Sequence, residues 1–205
     1  MSNFPIAVLA SGTGSNLQAI LDTVHCHDGI EVVAVGSDIA AAPALERARR
    51  AGVATAAFPL ADHDGDRVAR DTALADWLQE RGARLVALAG YMRLLTPQFL
   101  ARFPLGVVNV HPALLPAFPG LRAVEQALAH GVRVFGVTVH FVDEGVDTGP
   151  IILQRAVELP RARDADEVFE QIHAIEHELL PEAIRLIARG AVTLDPDNPR
   201  RVLLG

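Results

Sequence analysis

An α/β fold, an open and mostly parallel twisted sheet with helices on both faces, is predicted by two observations; a third adds a β-rich C-terminal half. Apolar runs of strand length alternate with segments of helical period through the first half of the chain. Two of these runs, Ile6-Ala7-Val8-Leu9 and Leu85-Val86-Ala87-Leu88, are apolar without a break, as strands covered on both faces are. Beyond residue 130 the texture changes to two β-rich stretches followed by one long amphipathic segment.

Taken in order, the apolar runs place strands at residues 5–10, 30–36, 54–58, 84–89 and 107–110. The helical periods between them cover residues 15–25, 43–51, 64–81 and 97–103, and crossovers of this kind are right-handed. Residues 132–142 and 150–157 form a hairpin-like excursion around the polar loop 143–149. Asp164, with Glu167 three positions on, predicts the start of a last helix carrying Val168, Ile172, Ile175 and Leu179 at helical spacing. Gly190 stops it, Pro181 kinks or divides it, and residues 195–205 read as irregular.

Composition narrows the chemistry. A chain of 205 residues, 50% apolar and 21% charged, fits one domain with a core that needs no crosslinks. Its single Cys26 excludes an internal disulfide and points to a reducing compartment. A net charge of -7 removes the electrostatic footprint of a general nucleic-acid binder. All 18 basic side chains are arginine, so Schiff-base catalysis and a P-loop lysine are excluded. The start, Met1-Ser2-Asn3-Phe4-Pro5, lacks the basic region of a signal peptide and passes into an apolar run, which predicts a strand and a cytoplasmic protein.

Four constellations carry candidate chemistry. Ser11-Gly12-Thr13-Gly14-Ser15-Asn16 lies between the first strand and the first helix, where free amides and the helix dipole suit a phosphate. Leu17 occupies the third glycine position of the dinucleotide fingerprint, which disfavours a nicotinamide enzyme; a plain capped turn is the other reading. Asn109 and His111, two apart at the carboxyl end of a strand, project to one side where open sheets bind ligands. Asn109 suits an oxyanion and His111 a proton, whereas the alternative is turn capping. The loop 143–149 offers Asp147 as a carboxylate partner for His111, or is an exposed Gly/Asp turn. His173-Ala174-Ile175-Glu176-His177 matches an inverted zinc-protease pattern but lacks a further acidic ligand in a suitable place, so a solvated helix face is the competing reading. The His25-Cys26-His27 and 62–66 segments have no ligand set of zinc or EF-hand spacing.

Together, residues 10–18, 88–95, Asn109-Val110-His111-Pro112-Ala113-Leu114-Leu115-Pro116 and Asp147-Thr148-Gly149-Pro150-Ile151-Ile152 closely resemble the folate-dependent formyltransferase family. The Ser-Gly-x-Gly-Ser-Asn loop resembles its phosphoribosylglycinamide formyltransferase branch rather than the tRNA formyltransferases or formyltetrahydrofolate deformylases, and the order and spacing match over nearly the whole chain. The resemblance implies a Rossmann-like formyltransferase domain over residues 1–205, with a nucleotide-binding half (1–105) and a catalytic, folate-binding half (106–205). It implies formyl transfer from 10-formyltetrahydrofolate to the amine of glycinamide ribonucleotide in purine synthesis, without a metal.

By position, the resemblance makes Asn109, His111 and Asp147 the catalytic trio, with His111 an imidazolium kept charged by Asp147. Gly14, Ser15 and Asn16 would hold the phosphate and Glu176 the ribose, which gives the His-x-x-Glu-His stretch a metal-free explanation. Arg67, Met92, Arg93, Leu94, Leu95 and Asn109 would line the folate site, with Val142, Glu144 and Val146 near the pterin. Two positions depart from the family pattern: Arg122 stands where relatives often carry histidine, and Gly36-Ser37-Asp38 replaces a more usual Ser-Asn-Lys or Ser-Asn-Arg. The expected partners are small molecules, with no nucleic acid or membrane, and the expected state is a monomer or homodimer. The rival readings are a formyltetrahydrofolate hydrolase and a non-catalytic folate or nucleotide sensor.

Overall fold

The computed structural model describes residues 3–205. Their contacts divide into two compact units, one ending at Val108 and the other running from Asn109 to Gly205.

The first unit is the predicted βα repeat. Strands β1 (Phe4–Leu9), β2 (Ile30–Ser37), β3 (Ala54–Ala57) and β4 (Leu85–Leu88) lie in the spatial order β3-β2-β1-β4, all parallel. The crossovers are α1 (Ser15–Thr23), α2 (Pro43–Arg50) and α3 (Arg67–Glu80), and the short α4 (Pro97–Leu100) follows β4. Ile6, Val8, Val35 and Val86 are fully buried, as are Leu17 and Ile20 of α1 and Leu78 of α3. That burial explains why the strands read as unbroken apolar runs. The third helix begins later than its periodicity suggests: a 3-10 turn occupies Leu60–His63, and Asp66 caps α3 by accepting from Val68 and Ala69.

In the second unit, β5 (Val107–His111), which starts at the end of the first unit, is followed by α5 (Ala123–Ala129), a helix the periodicity did not announce. The expected excursion is an antiparallel pair, β6 (Val134–Phe141) with β7 (Ile151–Glu158). α6 (Ala165–Ala188) packs on both, burying Val168, Ile172, Leu179 and Ile184. Its start is the predicted one: Asp164 accepts from the Glu167 amide at 3.0 Å, and the Glu167 carboxylate accepts from Arg163 at 2.9 Å. Pro181 does not divide the helix, which runs on to Ala188 before Gly190 turns left-handed at φ 74°.

The irregular tail is a misreading. Residues 192–204 form a hairpin, β8 (Val192–Asp195) and β9 (Asn198–Leu204), and β9 lies parallel to β7 at Ile151 and Arg201. Pro196 and Pro199 read as breakers because proline withholds a ladder donor, but edge strands and turns tolerate that loss.

Candidate active site

The catalytic candidates are all in the second unit, and they meet. β5 delivers Asn109 and His111 to the same side, and the loop between β6 and β7 brings Asp147 to them. Asp147 Oδ2 lies 3.3 Å from His111 Nδ1, and Asp147 Oδ1 lies 3.4 Å from Asn109 Nδ2. The close return of that loop depends on Gly149, where a Cβ would overlap the Phe141 carbonyl. Asp147 itself sits in the left-handed region at φ 53°, a strain that the surrounding contacts must hold.

Two partners were not anticipated. His140, buried on β6, places Nε2 3.3 Å from Asn109 Nδ2 and 3.5 Å from Asp147 Oδ1. The loop after His111 closes the other side: the Phe118 carbonyl faces His111 Nε2 at 2.8 Å, and the Gly120 amide donates to Asp147 Oδ2 at 2.7 Å. Leu115-Pro116 in that loop is cis. A buried polar residue in the apolar run Val137-Thr138-Val139-His140 was the available signal for His140.

Electrostatics correct one expectation. Burial holds the His111 pKa below its ordinary value, outweighing Asp147 and the Phe118 carbonyl, which raise it, and reinforced by His140. Burial thus works against the standing imidazolium that the resemblance implies. Yet both of its nitrogens face oxygen acceptors, so a neutral ring leaves one acceptor without a proton and a protonated ring satisfies both. For Asp147, burial pushes the carboxyl up, but hydrogen bonding to His140 and Gly120 and the charges of both histidines outweigh it and leave the pKa depressed. The site is thus built to receive a proton on imidazole beside a standing carboxylate.

Glu176 is buried on α6 in this unit, while Val142 is half-buried and Glu144 and Val146 are exposed on the loop that carries Asp147. Among the described residues no group of three or more His, Cys, Asp or Glu is arranged to hold a metal ion.

The remaining candidates lie in the first unit. Gly14 is the left-handed N-cap of α1, with no side-chain cap on the helix start, so the capped-turn reading does not describe this loop. A Cβ at Gly14 would come within 2.8 Å of Ala44, which reserves the position for glycine. Ser15 and Asn16 open the helix, whose first amides suit an anion. Residues 92–95 follow β4, with Met92 and Leu94 62% and 58% exposed, so this loop presents apolar surface. Arg67 donates to the Leu94 carbonyl at 3.0 Å, and Arg93 pairs with Asp38 at 2.7 Å. Arg122, the departure noted above, is the left-handed residue before α5.

A parallel-strand unit with a glycine loop at a helix start, and a carboxylate–imidazole–amide cluster in the other unit, define a small-molecule group-transfer enzyme. Residues 4–184 match the family described as Formyl transferase, and the chain belongs to that family. It is 45% identical over 92% of its length to phosphoribosylglycinamide formyltransferase of Mycobacterium tuberculosis (strain ATCC 25618 / H37Rv), covering 87% of that protein. It is 43% identical to the trifunctional purine biosynthetic protein adenosine-3 of Homo sapiens over 92% of this chain, but spans only 19% of that relative. Among solved structures, glycinamide ribonucleotide transformylase 1 from Symbiobacterium toebii superposes with a TM-score of 0.92 at 50% identity, over 98% of this chain and 94% of that one. A formyltetrahydrofolate deformylase from Pseudomonas syringae, 23% identical with a TM-score of 0.87 over all of this chain and 66% of that one, shares the fold alone.

Proposed function

We propose that this chain transfers the formyl group of 10-formyltetrahydrofolate to the amine of N1-(5-phosphoribosyl)glycinamide, a step of de novo purine synthesis. The observation that carries the reading is the meeting of Asn109, His111 and Asp147, with both His111 nitrogens facing acceptors. The match to single-function phosphoribosylglycinamide formyltransferases over nearly their full length supports it against hydrolysis. The single Cys26 suits a reducing compartment, and on that ground we place the chain in the cytoplasm, as a monomer or homodimer. Separately, no helix among the described residues is long and apolar enough to cross a membrane.

The chemistry is acyl transfer. A bond from the amine to the formyl carbon forms, the bond from that carbon to the folate nitrogen breaks, and one proton passes from the incoming to the departing nitrogen. The His111–Asp147 pair takes up the amine proton as attack proceeds and returns it to the leaving nitrogen. Asp147 fixes the ring and stabilises the imidazolium while it lasts, and the Phe118 carbonyl accepts from the second nitrogen. Asn109 donates its amide to the oxygen on which charge grows; its present contacts at 3.3 and 3.4 Å are long enough to exchange for a stronger one.

The binding roles follow. Gly14, Ser15 and Asn16 hold the phosphate at the α1 amides, and Glu176 accepts from the ribose hydroxyls. Arg67 and Arg93 take the folate carboxylates, Met92, Leu94 and Leu95 meet its rings, and Val142, Glu144 and Val146 pack near the pterin. On these assignments the phosphate is held in residues 1–105 and the catalytic trio in residues 106–205, while the folate and ribose contacts draw on both. The test is loss of the formyl group from the folate, measured with and without glycinamide ribonucleotide. Strict dependence on the nucleotide is expected. Equal rates without it overturn the reading in favour of a hydrolase, and binding of both ligands without product makes the chain a sensor.

A further inference from the structure

The departure at Gly36-Ser37-Asp38 brings in a carboxylate, Asp38, that the catalytic scheme does not use. That carboxylate is 2% exposed and does not stand alone. Its Oδ1 accepts from the Ser11 hydroxyl at 2.5 Å, and its Oδ2 accepts from Arg93 Nε at 2.7 Å. The Ser11 hydroxyl in turn accepts from the Met92 amide at 2.8 Å, and the Ser11 amide donates to the Gly90 carbonyl at 3.0 Å. Ser11 is the first residue of the glycine loop that leads to α1; Met92 and Arg93 belong to the 92–95 loop. One buried carboxylate therefore joins two loops separated by 81 positions in the chain.

We propose that Asp38 is a positioning residue that locks the 92–95 loop to the glycine loop and presets the Arg93 guanidinium for an anionic ligand. Arg93 is 56% exposed and uses Nε on Asp38, which orients the fork and leaves its outer nitrogens for a carboxylate. The lock is rigid because its carboxylate is desolvated. Losing one donor leaves a buried acceptor unsatisfied, so the network holds together or comes apart as a unit. The identity of the ligand rests on the function proposed above; the link between the loops does not.

The experiment compares Asp38→Ala, Ser11→Ala and the double variant with the parent chain. Steady-state transfer gives kcat and KM for each substrate, and calorimetric titration with a non-transferable formylfolate analogue gives Kd. Each single variant is expected to raise the folate KM and the analogue Kd about tenfold, to raise the nucleotide KM about threefold and to leave kcat within twofold. The double variant should lose no more than the worse single one, because both substitutions open the same link. A general loss of structure would instead lower kcat and the melting temperature together. An analogue Kd within twofold of the parent in Ser11→Ala, which keeps every charge, overturns the proposal whatever becomes of Asp38→Ala. Failure of the reaction assignment shows differently, as a parent chain that binds the analogue without transferring the formyl group to the nucleotide.

Discussion

Asp71 in the first unit and Asp147 in the second have much in common, and their partners separate them. Each is a buried or nearly buried carboxylate that accepts from a backbone amide at 2.7 Å, Thr96 in one case and Gly120 in the other. Asp71 is completely buried and takes Nε and Nη2 of Arg70 on one oxygen at 2.8 and 2.6 Å. Asp147 is 14% exposed and faces two imidazoles at 3.3 and 3.5 Å. A guanidinium keeps its charge at any working pH, so the Arg70–Asp71 pair is a fixed strut beneath the loop that Thr96 ends. An imidazole changes charge near neutrality, and its longer contacts let the carboxylate respond. A carboxylate is thus made structural by a permanent, closely bonded cation, and chemical by a partner able to gain and lose a proton.

The largest effect expected from this contrast is on the strut. Asp71→Ala leaves Arg70 charged and buried and should cost about 3–5 kcal/mol of folding free energy, read from urea melts. The catalytic cluster should fail in the opposite way. His111→Ala or Asp147→Asn should lower kcat by about 100- to 1000-fold, or roughly 3–4 kcal/mol of barrier, with a melt near that of the parent. Parent-like turnover in both variants would refute the assigned roles. Gly14→Ala tests a third kind of constraint, since left-handed backbone alone costs about 1–2 kcal/mol for an L-residue and Ala44 adds a steric clash. Both stability and the nucleotide KM should suffer there.

A smaller shift tests the electrostatics of the cluster. Because His111 titrates below its ordinary 6.5, the unfolded chain takes up the proton first as pH falls, and this group costs stability below that value. Asp147 works the other way: its stabilisation is present above its ordinary 3.8 and lost as pH falls through the lower folded value. NMR titration of the His111 ring should give a lower pKa still in Asp147→Asn, which removes a raising charge, and a higher one in His140→Gln. Smallest of all should be Glu178→Gln, which breaks an exposed pair with Arg155 and is expected to cost under about 1 kcal/mol with no change in turnover.

Much of the architecture was legible because burial writes itself into sequence. Strands such as Ile6-Ala7-Val8-Leu9 are apolar throughout, and the Asp164–Glu167 start of α6 needs only local rules. The hairpin of β8 and β9 was not legible, because its strands are short, largely exposed and interrupted by prolines that resemble loop punctuation. The expectation that Asn109, His111 and Asp147 meet came from resemblance, and spacing alone left it open; their distances now support it. His140 and the Phe118 carbonyl escaped because a strand partner and a backbone oxygen carry no motif. The charge of His111 escaped for another reason: it is a balance of burial against neighbours, and burial is a property of the folded chain.

Arg67 and Arg93, one bonded to the Leu94 carbonyl and the other to Asp38, supply the positive charge of the 92–95 region entirely as guanidinium groups. A guanidinium stays protonated and offers no lone pair to an electrophile, whereas a lysine in the same place would carry a nucleophilic nitrogen beside an activated one-carbon unit. On the formyl-transfer reading, such a pocket grips an anionic donor without competing for its cargo. The chain's complete lack of lysine removes every side-chain amine from that competition.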